Sequence, residues 1–444
     1  GDINITESRR EYWENNINDD TARLLEEDNK YFLHQSLSTP CLNVMESCKG
    51  SSIVDTEGRS YLDFHGNNVH QVGFGNEKVI EAITKQMAIL PFCTRRYTNR
   101  PAIELAKKLV ELAPGDLSRV LFAPSGAIAI GMALKLARVK TGRFKTISMW
   151  DSFHGASLDA ISIGGEAIFR SEIGPLMPGT EHVPPSDPQN CPWDCGGTCS
   201  LKCANYIDYV LEKEGDVSAV IAETVRSTPY IPPKEYWQKV REACDRHGAL
   251  LILDEIPHCM GRSGKMFTFE HYGIVPDMVV IGKGLGGGIF PLAALIVKEE
   301  LNVMQDKALG HYTHEKSPVA AAASLATIKF LEENDILNHV QAMSEYALTG
   351  LRKLQQKYSL IKDVRGIGLL MGVELANING KKPGDEAESI MYKSLERGLN
   401  FKLTMGNILT LTPALTISYE EMDQALSILD SCFAELKNDD SLKR

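Results

Sequence analysis

The sequence predicts an α/β protein with a large domain built on a mainly parallel sheet and a smaller α+β domain formed from both chain ends. From about residue 100, short apolar runs alternate with amphipathic helical patterns, which is typical of a parallel sheet covered on both faces. After about residue 335 the pattern changes to long helices with strand-like segments between them. The chain has 444 residues and 43% hydrophobic content, which is enough for more than one core.

These patterns predict domain bounds at 1–70 for an N-terminal part of the small domain, 71–335 for the large domain and 336–444 for the C-terminal part. Near the start, SSIVDTEGRSYLDF predicts a hairpin that turns near Glu57 and Gly58. Buried strands are predicted at RVLFAP, KTISMW, SAVIAET, ALLILDEI, MVVIG and LAALIV. Helices are predicted at IELAKKLVELA, IAIGMALKLARVK, KEYWQKVREACDRHG and HVQAMSEYALTGLRKLQQKY, and at the closing EEMDQALSILDSCFAELK, with VRGIGLLMGVEL as a strand-like segment.

Composition excludes several classes of partner. The net charge of −11 argues against nucleic acid or an anionic membrane as the main partner. No apolar run is long enough to predict a membrane span, and the first residues, GDINITESRREYWENN, lack the apolar stretch of a secretory signal. Ten cysteines in such a chain are expected to be thiols rather than a disulfide framework. We therefore expect a cytoplasmic enzyme.

A lysine follows one of the buried strands. MVVIGKGLGGGIFPLAALIV places Lys283 between the strand and a run of glycines. A lysine in that position can be desolvated, which lowers its pKa and frees the amine for Schiff-base chemistry. A helix-capping or surface lysine gives the same local pattern.

Two further features lie at strand ends. ALLILDEI ends at Asp254, and a carboxylate there points into the crevice where α/β sheets bind ligands. Asp254 can keep a pyridinium nitrogen protonated, although a helix cap or an ion pair would also explain it. Ser125, Gly126 and Ala127 lie between a strand and a helix start, where backbone N–H groups and the helix dipole bind phosphate.

Together these segments resemble the class III aminotransferases, a family of enzymes that use pyridoxal 5′-phosphate (PLP). Family members carry SG-[ST]-E-A, Y-H-G, E-P-[IV], D-E-V-Q-x-G-x-G-R-[ST]-G, K-x-L-G-G-G-x-P and T-x-x-x-N-P in this order. The chain has SGAIA, FHG, ETV, DEIPHCMGRSG, KGLGGGIFP and THEKSP at similar intervals. The resemblance covers nearly the whole chain and implies PLP fold type I, with a mainly parallel seven-stranded sheet in the large domain.

The resemblance also implies roles for individual residues. Lys283 would be the catalytic Schiff-base lysine and would move the proton at the substrate Cα, while Asp254 would pair with the pyridine nitrogen. Thr313 would reach the phosphate from a second subunit, so a homodimer would be the smallest active unit. The other cofactor-binding residues would be Ser125, Gly126 and Ala127 at the phosphate, Ile256 and Phe153 on the two ring faces, and His154 and Glu223 beside them.

The departures from the family pattern concern the amino-group acceptor. Many of these aminotransferases grip a keto-acid carboxylate with an arginine in N-x-x-R-x-x-P-P, and here GNILTLTPAL places Thr410 at that position. A hydroxyl cannot replace a bidentate guanidinium. The glutamate that gates this arginine in some members is Thr228 here, Pro257 replaces the glutamine expected near the phenolic oxygen, and Ile128 replaces the glutamate of the phosphate turn. Another arginine could still take over the task.

Positive charge is present elsewhere. PFCTRRYTNRP contains Arg95, Arg96 and Arg100 in a segment that the family places near the entrance shared between subunits. Arg226 follows a strand end that would face the cofactor. Guanidinium groups suit phosphate or phosphonate oxygens, so Arg226, Arg95 and Arg96 are predicted substrate-binding residues. Surface ion pairing is the ordinary alternative for Arg95, Arg96 and Arg100.

Three functions remain open from the sequence. The first is a lyase that removes a Cα proton from a small anionic primary amine, expels a β-substituent and releases an aldehyde and ammonia. The expected substrate is an aminophosphonate or phosphorylated amine such as (R)-1-hydroxy-2-aminoethylphosphonate, which would give phosphonoacetaldehyde in phosphonate catabolism. The second is an ω-aminotransferase for 2-aminoethylphosphonate or another amine, with pyruvate or 2-oxoglutarate as acceptor. The third is an inactive binding protein, against which the retained Lys283 and Asp254 argue.

A cysteine-rich segment, NCPWDCGGTCSLKC, interrupts the α/β pattern. It places Cys191, Cys195, Cys199 and Cys203 at a constant spacing of four, inside a stretch of about residues 180–204 that is predicted to be an insertion or long loop. The four sulfurs could hold a structural zinc ion or iron–sulfur cluster. Reduced thiols or disulfides are the alternatives.

Overall fold

The computed structural model describes residues 6–36, 39–195 and 199–438. It divides into two compact units, residues 77–337 and residues 1–76 with 338–444. The helices of the described chain are α1 (Glu7–Asn16), α2 (Asp19–Tyr31), α3 (Glu77–Ile89), α4 (Arg100–Leu112), α5 (Gly126–Thr141), α6 (Leu158–Ile163), α7 (Lys202–Glu214), α8 (Tyr236–His247), α9 (Pro318–Glu333), α10 (Ile336–Lys357), α11 (Gly384–Glu396) and α12 (Tyr419–Asn438).

The strands are β1 (Met45–Lys49), β2 (Ser52–Asp55), β3 (Ser60–Asp63), β4 (Leu117–Ala123), β5 (Lys145–Met149), β6 (Thr180–Val183), β7 (Val217–Glu223), β8 (Leu250–Asp254), β9 (Met278–Ile281), β10 (Ala293–Lys298), β11 (Ile361–Ile367), β12 (Leu370–Leu375), β13 (Leu399–Asn400), β14 (Lys402–Thr404) and β15 (Ile408–Leu411). No helix in the described part of the chain combines the length and the apolar character needed to cross a membrane.

The unit of residues 77–337 is built on one sheet. Among the described residues its seven strands have the order β4-β10-β9-β8-β7-β5-β6. Pairing is parallel from β9 to β6, and β10 runs antiparallel to both β9 and β4. The predicted α/β class with a mainly parallel seven-stranded sheet is therefore confirmed. The central strands β8 and β9 are buried throughout, as expected for strands covered on both faces.

Local sequence signals explain where the key helices of this unit begin and end. The Asn99 side chain accepts a hydrogen bond from the backbone of Ala102 at the start of α4, and Ser125 caps α5 by accepting from the backbone of Ile128. Gly142 and Gly248 end α5 and α8 in the left-handed conformation that glycine adopts without strain. These caps define where α4 and α5 begin and where α5 and α8 end.

The unit of residues 1–76 and 338–444 is α+β. Its sheets have the orders β1-β2-β3-β13 and β11-β12-β15-β14 in the described chain, and the predicted hairpin is the antiparallel pair β2 and β3. The segment predicted as one strand, VRGIGLLMGVEL, forms most of two antiparallel strands that turn at Gly368. A glycine-containing apolar run has the same composition whether it forms one strand or two. Only the pairing of the backbone therefore decides between one strand and two. Helices α1 and α2 lie in the polar N-terminal stretch, where no element was predicted.

Candidate active site

The topology of the large unit brings five chain segments to one edge of its sheet. Strands β5, β7, β8 and β9 are parallel, and β4 has the same direction because β10 runs opposite to both of its neighbours. The carboxyl ends of these strands therefore lie at a common edge, which is where α/β sheets bind ligands. The segments that follow them contain most of the predicted site residues: Ser125, Gly126, Ala127, Phe153, His154, Glu223, Arg226, Asp254, Ile256 and Lys283.

Lys283 follows β9 and opens a single helical turn at residues 283–286. Its φ of 45° lies in the left-handed region, which costs a residue with a Cβ about 1–3 kcal/mol and is concentrated at functional sites. The residue is exposed in the described chain, yet the surrounding protein desolvates its amine. This desolvation lowers the pKa of Lys283 from its ordinary value, and the carboxylates of Glu223 and Asp254 oppose part of the shift. A lowered pKa supplies more of the unprotonated amine that Schiff-base formation requires.

Asp254 is held on both of its carboxylate oxygens. Its Oδ1 accepts a hydrogen bond from the Ile256 backbone at 3.1 Å, and its Oδ2 lies 2.7 Å from His154 Nδ1. Both side chains are almost fully buried. The other ring nitrogen of His154, Nε2, is buried and has no hydrogen-bond partner among the described residues. This pair fixes the orientation of the Asp254 carboxylate.

The turn before α5 is packed closely against the neighbouring segments. A Cβ added at Gly126 would lie 2.6 Å from the Ile256 side chain, and one added at Gly155 would lie 2.5 Å from Ala127 Cβ. Gly155 has a φ of 125°, which residues with a Cβ rarely adopt. The F-H-G segment after β5 is thus in contact with the start of α5, where backbone N–H groups favour an anion.

Glu223 connects two of these segments. It ends β7 directly opposite Asp254 on β8, and its Oε1 accepts from the Phe153 backbone at 3.4 Å. Its Oε2 accepts from the backbone and hydroxyl of Ser227 at 3.3 and 3.4 Å. The Phe153 ring lies 4.5 Å from that of Phe169 and is 37% exposed, so it offers an aromatic surface at this edge.

The site suits PLP in the chemical groups that it presents. His154 Nε2 is a buried polar atom without a protein partner in the described chain, and such atoms are rare unless a ligand or water satisfies them. Gly126 and Gly155 let neighbouring segments pack closely against the start of α5, where backbone N–H groups favour an anion. An amine with a lowered pKa and an oriented carboxylate complete the set that a phosphorylated pyridine aldehyde requires.

Arg226 lies in a tight turn after β7. Its backbone pairs with that of Tyr230 at 3.1 and 3.2 Å, and its guanidinium stands 5.8 Å from the Tyr230 ring centre. Nη2 lies 3.3 Å from Glu166 Oε2, while Nη1 is buried and has no hydrogen-bond partner among the described residues. Glu166 was not among the predicted site residues. Its only sequence signal is an acidic residue in the glycine-containing segment SIGGEAIF after the F-H-G motif.

The remaining predicted residues lie in loops or at the start of a helix. Arg95 and Arg96 precede α4; Arg95 is half-buried, Arg96 is exposed, and Arg100 is 4.0 Å from Glu104 on the helix surface. Thr313 is an exposed residue of the turn before α9. The contacts of Arg95 and Arg96 with substrate, and of Thr313 with the cofactor of a second subunit, therefore stay predictions.

Thr410 occupies the position where the family pattern has an arginine, and it lies in the unit of residues 1–76 and 338–444. Thr410, on β15, is fully buried, and its hydroxyl lies 2.7 Å from that of Thr404 on β14. A hydroxyl pair of this kind carries no charge.

The four cysteines line one cavity of about 470 Å³ in the loop between β6 and α7. Cys191 and Cys195 have their sulfurs 3.4 Å apart, and hydrogen bonds from Ser200 lower the pKa of Cys195 to about 7. All ten cysteines of the chain are free thiols. In the described residues no group of three or more His, Cys, Asp or Glu side chains is arranged to hold a metal ion, so the predicted zinc or iron–sulfur site has no support.

Comparison with known proteins agrees with this geometry. The profile of the family described as Aminotransferase class-III matches residues 34–433. An (R)-1-hydroxy-2-aminoethylphosphonate ammonia-lyase of Vibrio splendidus (strain 12B01) is 48% identical, over 99% of this chain and 95% of that protein. A leucine/methionine racemase of Thermococcus litoralis is 34% identical, over 95% of this chain and 98% of that protein.

Solved structures give the same family. A crystal structure of a Bacillus anthracis aminotransferase superposes with a TM-score of 0.85 at 28% identity, covering 93% of this chain and 98% of that one. Lyase, racemase and aminotransferase thus share one fold, and the reaction has to be argued from the site. The chain belongs to the class III aminotransferases, and it is a PLP-dependent enzyme of fold type I.

Proposed function

We propose that this enzyme is an ammonia-lyase that acts on (R)-1-hydroxy-2-aminoethylphosphonate and yields phosphonoacetaldehyde and ammonia. One observation carries the proposal: at the position where many relatives bind a keto acid with arginine, Thr410 is buried against Thr404. A lyase needs no keto acid, because the amino group leaves as ammonia. The 48% identity to the Vibrio lyase over nearly the whole chain supports the same reaction.

Bound PLP supplies an electron sink for the electrons of a broken Cα–H bond. Lys283 binds the cofactor and takes the proton from the amine-bearing carbon, and its lowered pKa suits that task. Asp254 keeps the ring nitrogen protonated, oriented by His154. The hydroxyl on the neighbouring carbon would leave as water, together with the proton taken from the amine-bearing carbon. The released enamine would become an imine, and hydrolysis of the imine would consume one water, so no water is gained or lost overall.

The remaining cofactor contacts are proposed from the family resemblance. The N–H groups at Ser125, Gly126 and Ala127 bind the phosphate at the start of α5. Ile256 and Phe153 cover the two ring faces, and Glu223 holds the Phe153 backbone. Thr313 of a second subunit completes the phosphate site, so the proposed active form is a homodimer.

Arg226 is the proposed contact for the phosphonate group. Its guanidinium is only 10% exposed and keeps one buried nitrogen without a partner in the described chain. A buried, unpaired donor of this kind is costly unless a ligand uses it, and guanidinium geometry matches phosphonate oxygens. Arg95 and Arg96 would add positive charge at the entrance.

An ω-aminotransferase is the second candidate, because solved structures with the same fold include an aminotransferase and a transaminase. It shares the first proton transfer but requires an amino-group acceptor. The family alone is compatible with either reaction, whereas the uncharged pair at Thr410 favours the lyase.

The test uses purified PLP-loaded enzyme with racemic 1-hydroxy-2-aminoethylphosphonate and no keto acid. Ammonia and aldehyde are measured over many turnovers. Catalytic release of both in equal amounts is expected for the lyase. Turnover that begins only after pyruvate or 2-oxoglutarate is added would assign a transaminase and refute the argument from Thr410.

A further inference from the structure

Arg226 is paired with an acid before any substrate arrives. Glu166 Oε2 lies 3.3 Å from Arg226 Nη2, and the Glu166 side chain is 34% exposed while that of Arg226 is 10% exposed. An anion that binds Arg226 therefore meets a guanidinium whose charge is already partly balanced. When the anion binds, Glu166 either stays ionised beside a second negative charge, which is repulsive, or takes up a proton and becomes neutral.

Arg226 also faces a pocket. It lines this half-open pocket together with Ser152, Ser186 and Tyr230. A phosphonate that contacts Arg226 would share the guanidinium with Glu166, because the Glu166 carboxylate already pairs with Nη2.

The other charged groups near Glu166 are mostly negative. Glu223 at the end of β7 and Asp151 after β5 both act on it electrostatically, and Arg226 opposes them. Arg170, four residues further along, lies 5.5 Å from the Trp150 ring and is a second cation of the same segment. Burial raises the pKa of Glu166 above its ordinary value even while Arg226 is paired with it. A second anion at Arg226 would raise that pKa further.

We propose that Glu166 is a specificity-determining positioning residue that takes up a proton when a phosphonate dianion binds Arg226. This inference rests on the proposed function, because it takes Arg226 as the contact for the anionic group. In the free enzyme Glu166 holds Arg226 in place and balances its charge. In the complex the neutral acid removes the repulsion, and a dianion drives this change more strongly than a carboxylate monoanion does.

The direction of the pH effect follows from linkage. Because the pKa of Glu166 is higher in the complex than in the free enzyme, binding is tightest below the free-state pKa and weakens as the pH rises through the bound-state pKa. Each unit of difference between the two pKa values weakens binding about tenfold over that window. The substrate's own ionisation adds a pH dependence that is the same for every variant.

The experiment measures proton uptake directly with ethylphosphonate, which lacks the amine and cannot react. Isothermal titration calorimetry of the PLP-loaded enzyme is run in two buffers of equal pH and different ionisation enthalpy. Wild type is expected to take up a fraction of a proton per site beyond that of the ligand. This excess should vanish in Glu166→Gln, persist in Glu166→Asp, and be unchanged in the control Glu172→Gln, which alters an exposed acid six residues away.

Steady-state kinetics gives the second readout. As the pH rises, the KM of Glu166→Gln should increase less than that of wild type, with a smaller change in kcat. Equal proton uptake in wild type and Glu166→Gln would overturn the inference, and the proposed lyase reaction would stand. Failure of ethylphosphonate to bind wild type would also overturn it, and would remove Arg226 from substrate binding. Absence of ammonia release without a keto acid would refute the proposed function itself.

Discussion

The strand-end site of the large unit and the cysteine loop between β6 and α7 differ in how their groups are held. At the strand ends, Asp254 and His154 are almost fully buried and lie 2.7 Å apart. In the loop, Cys191 and Cys195 are only half-buried, although their sulfurs are 3.4 Å apart. Similar proximity therefore has different consequences: burial makes a polar contact costly to break, whereas partial exposure lets water replace it.

The largest effect that tests this contrast is expected at Lys283. Lys283→Ala removes both the amine that binds the cofactor and the group that moves the Cα proton, so turnover should fall by about 10²–10⁴-fold or more. The absorbance band of the Schiff base between Lys283 and PLP, which lies at a longer wavelength than the band of free PLP, should be lost. Lys265→Ala, which changes an exposed lysine of the same unit, serves as the control. An unaltered spectrum in Lys283→Ala would refute the assignment of the lysine.

A pH-dependent effect of several kcal/mol is expected at His258. Its ring is fully buried, Nδ1 lies 3.1 Å from Thr268 Oγ1, and burial lowers its pKa to about 4. The unfolded state binds the proton more readily, so His258 lowers the free energy of unfolding as the pH falls from about 6.5 towards about 4. The loss reaches about 3 kcal/mol at the lower end.

The variant His258→Gln should be free of this loss, measured as the free energy of unfolding in urea between about pH 7 and about pH 4. His311→Gln changes an exposed histidine of the same unit and should follow the wild-type curve. If His258→Gln and wild type lose stability in parallel, the histidine is not held neutral by burial.

Close packing at the start of α5 is tested by Gly155→Ala. The new Cβ would lie 2.5 Å from Ala127 Cβ and would sit on a backbone with a φ of 125°. Overpacking and backbone strain together should lower the free energy of unfolding by about 1–3 kcal/mol. The double variant Gly155→Ala with Ala127→Gly removes the contact with Ala127 Cβ but keeps the strain and the 2.9 Å approach to Ala127 Cα, so it should recover part of the loss. No recovery would mean that the strain and this backbone contact account for the cost.

The smallest effect is expected in the cysteine loop. Replacing Cys191 and Cys195 together by serine should change the free energy of unfolding by less than about 0.5 kcal/mol, because both side chains are partly exposed and neither is cross-linked. Chemical denaturation and elemental analysis of the wild type would be run side by side. A loss of several kcal/mol, or stoichiometric metal, would remove the contrast between the two regions.

The sequence determined the α/β class, the positions of the main strands and the residues that follow them. Buried strands give continuous apolar runs, as in SAVIAET and ALLILDEI, and their ends are marked by polar residues such as Glu223 and Asp254. Once parallel order is predicted, these ends must meet at one edge of the sheet. The family pattern then predicts the roles of Lys283 and of the turn at Gly126 without any tertiary information.

Tertiary structure alone decided the contacts between segments distant in the chain. The pairing of Arg226 with Glu166 joins residues 60 positions apart, and neither position carries a local pattern that predicts the other. The same holds for the contact of Thr410 with Thr404, which depends on the antiparallel pairing of β14 and β15. Periodicity reports only which side of an element is buried. Which charged groups face one another depends on how separate elements pack, and that determines the electrostatics at Arg226.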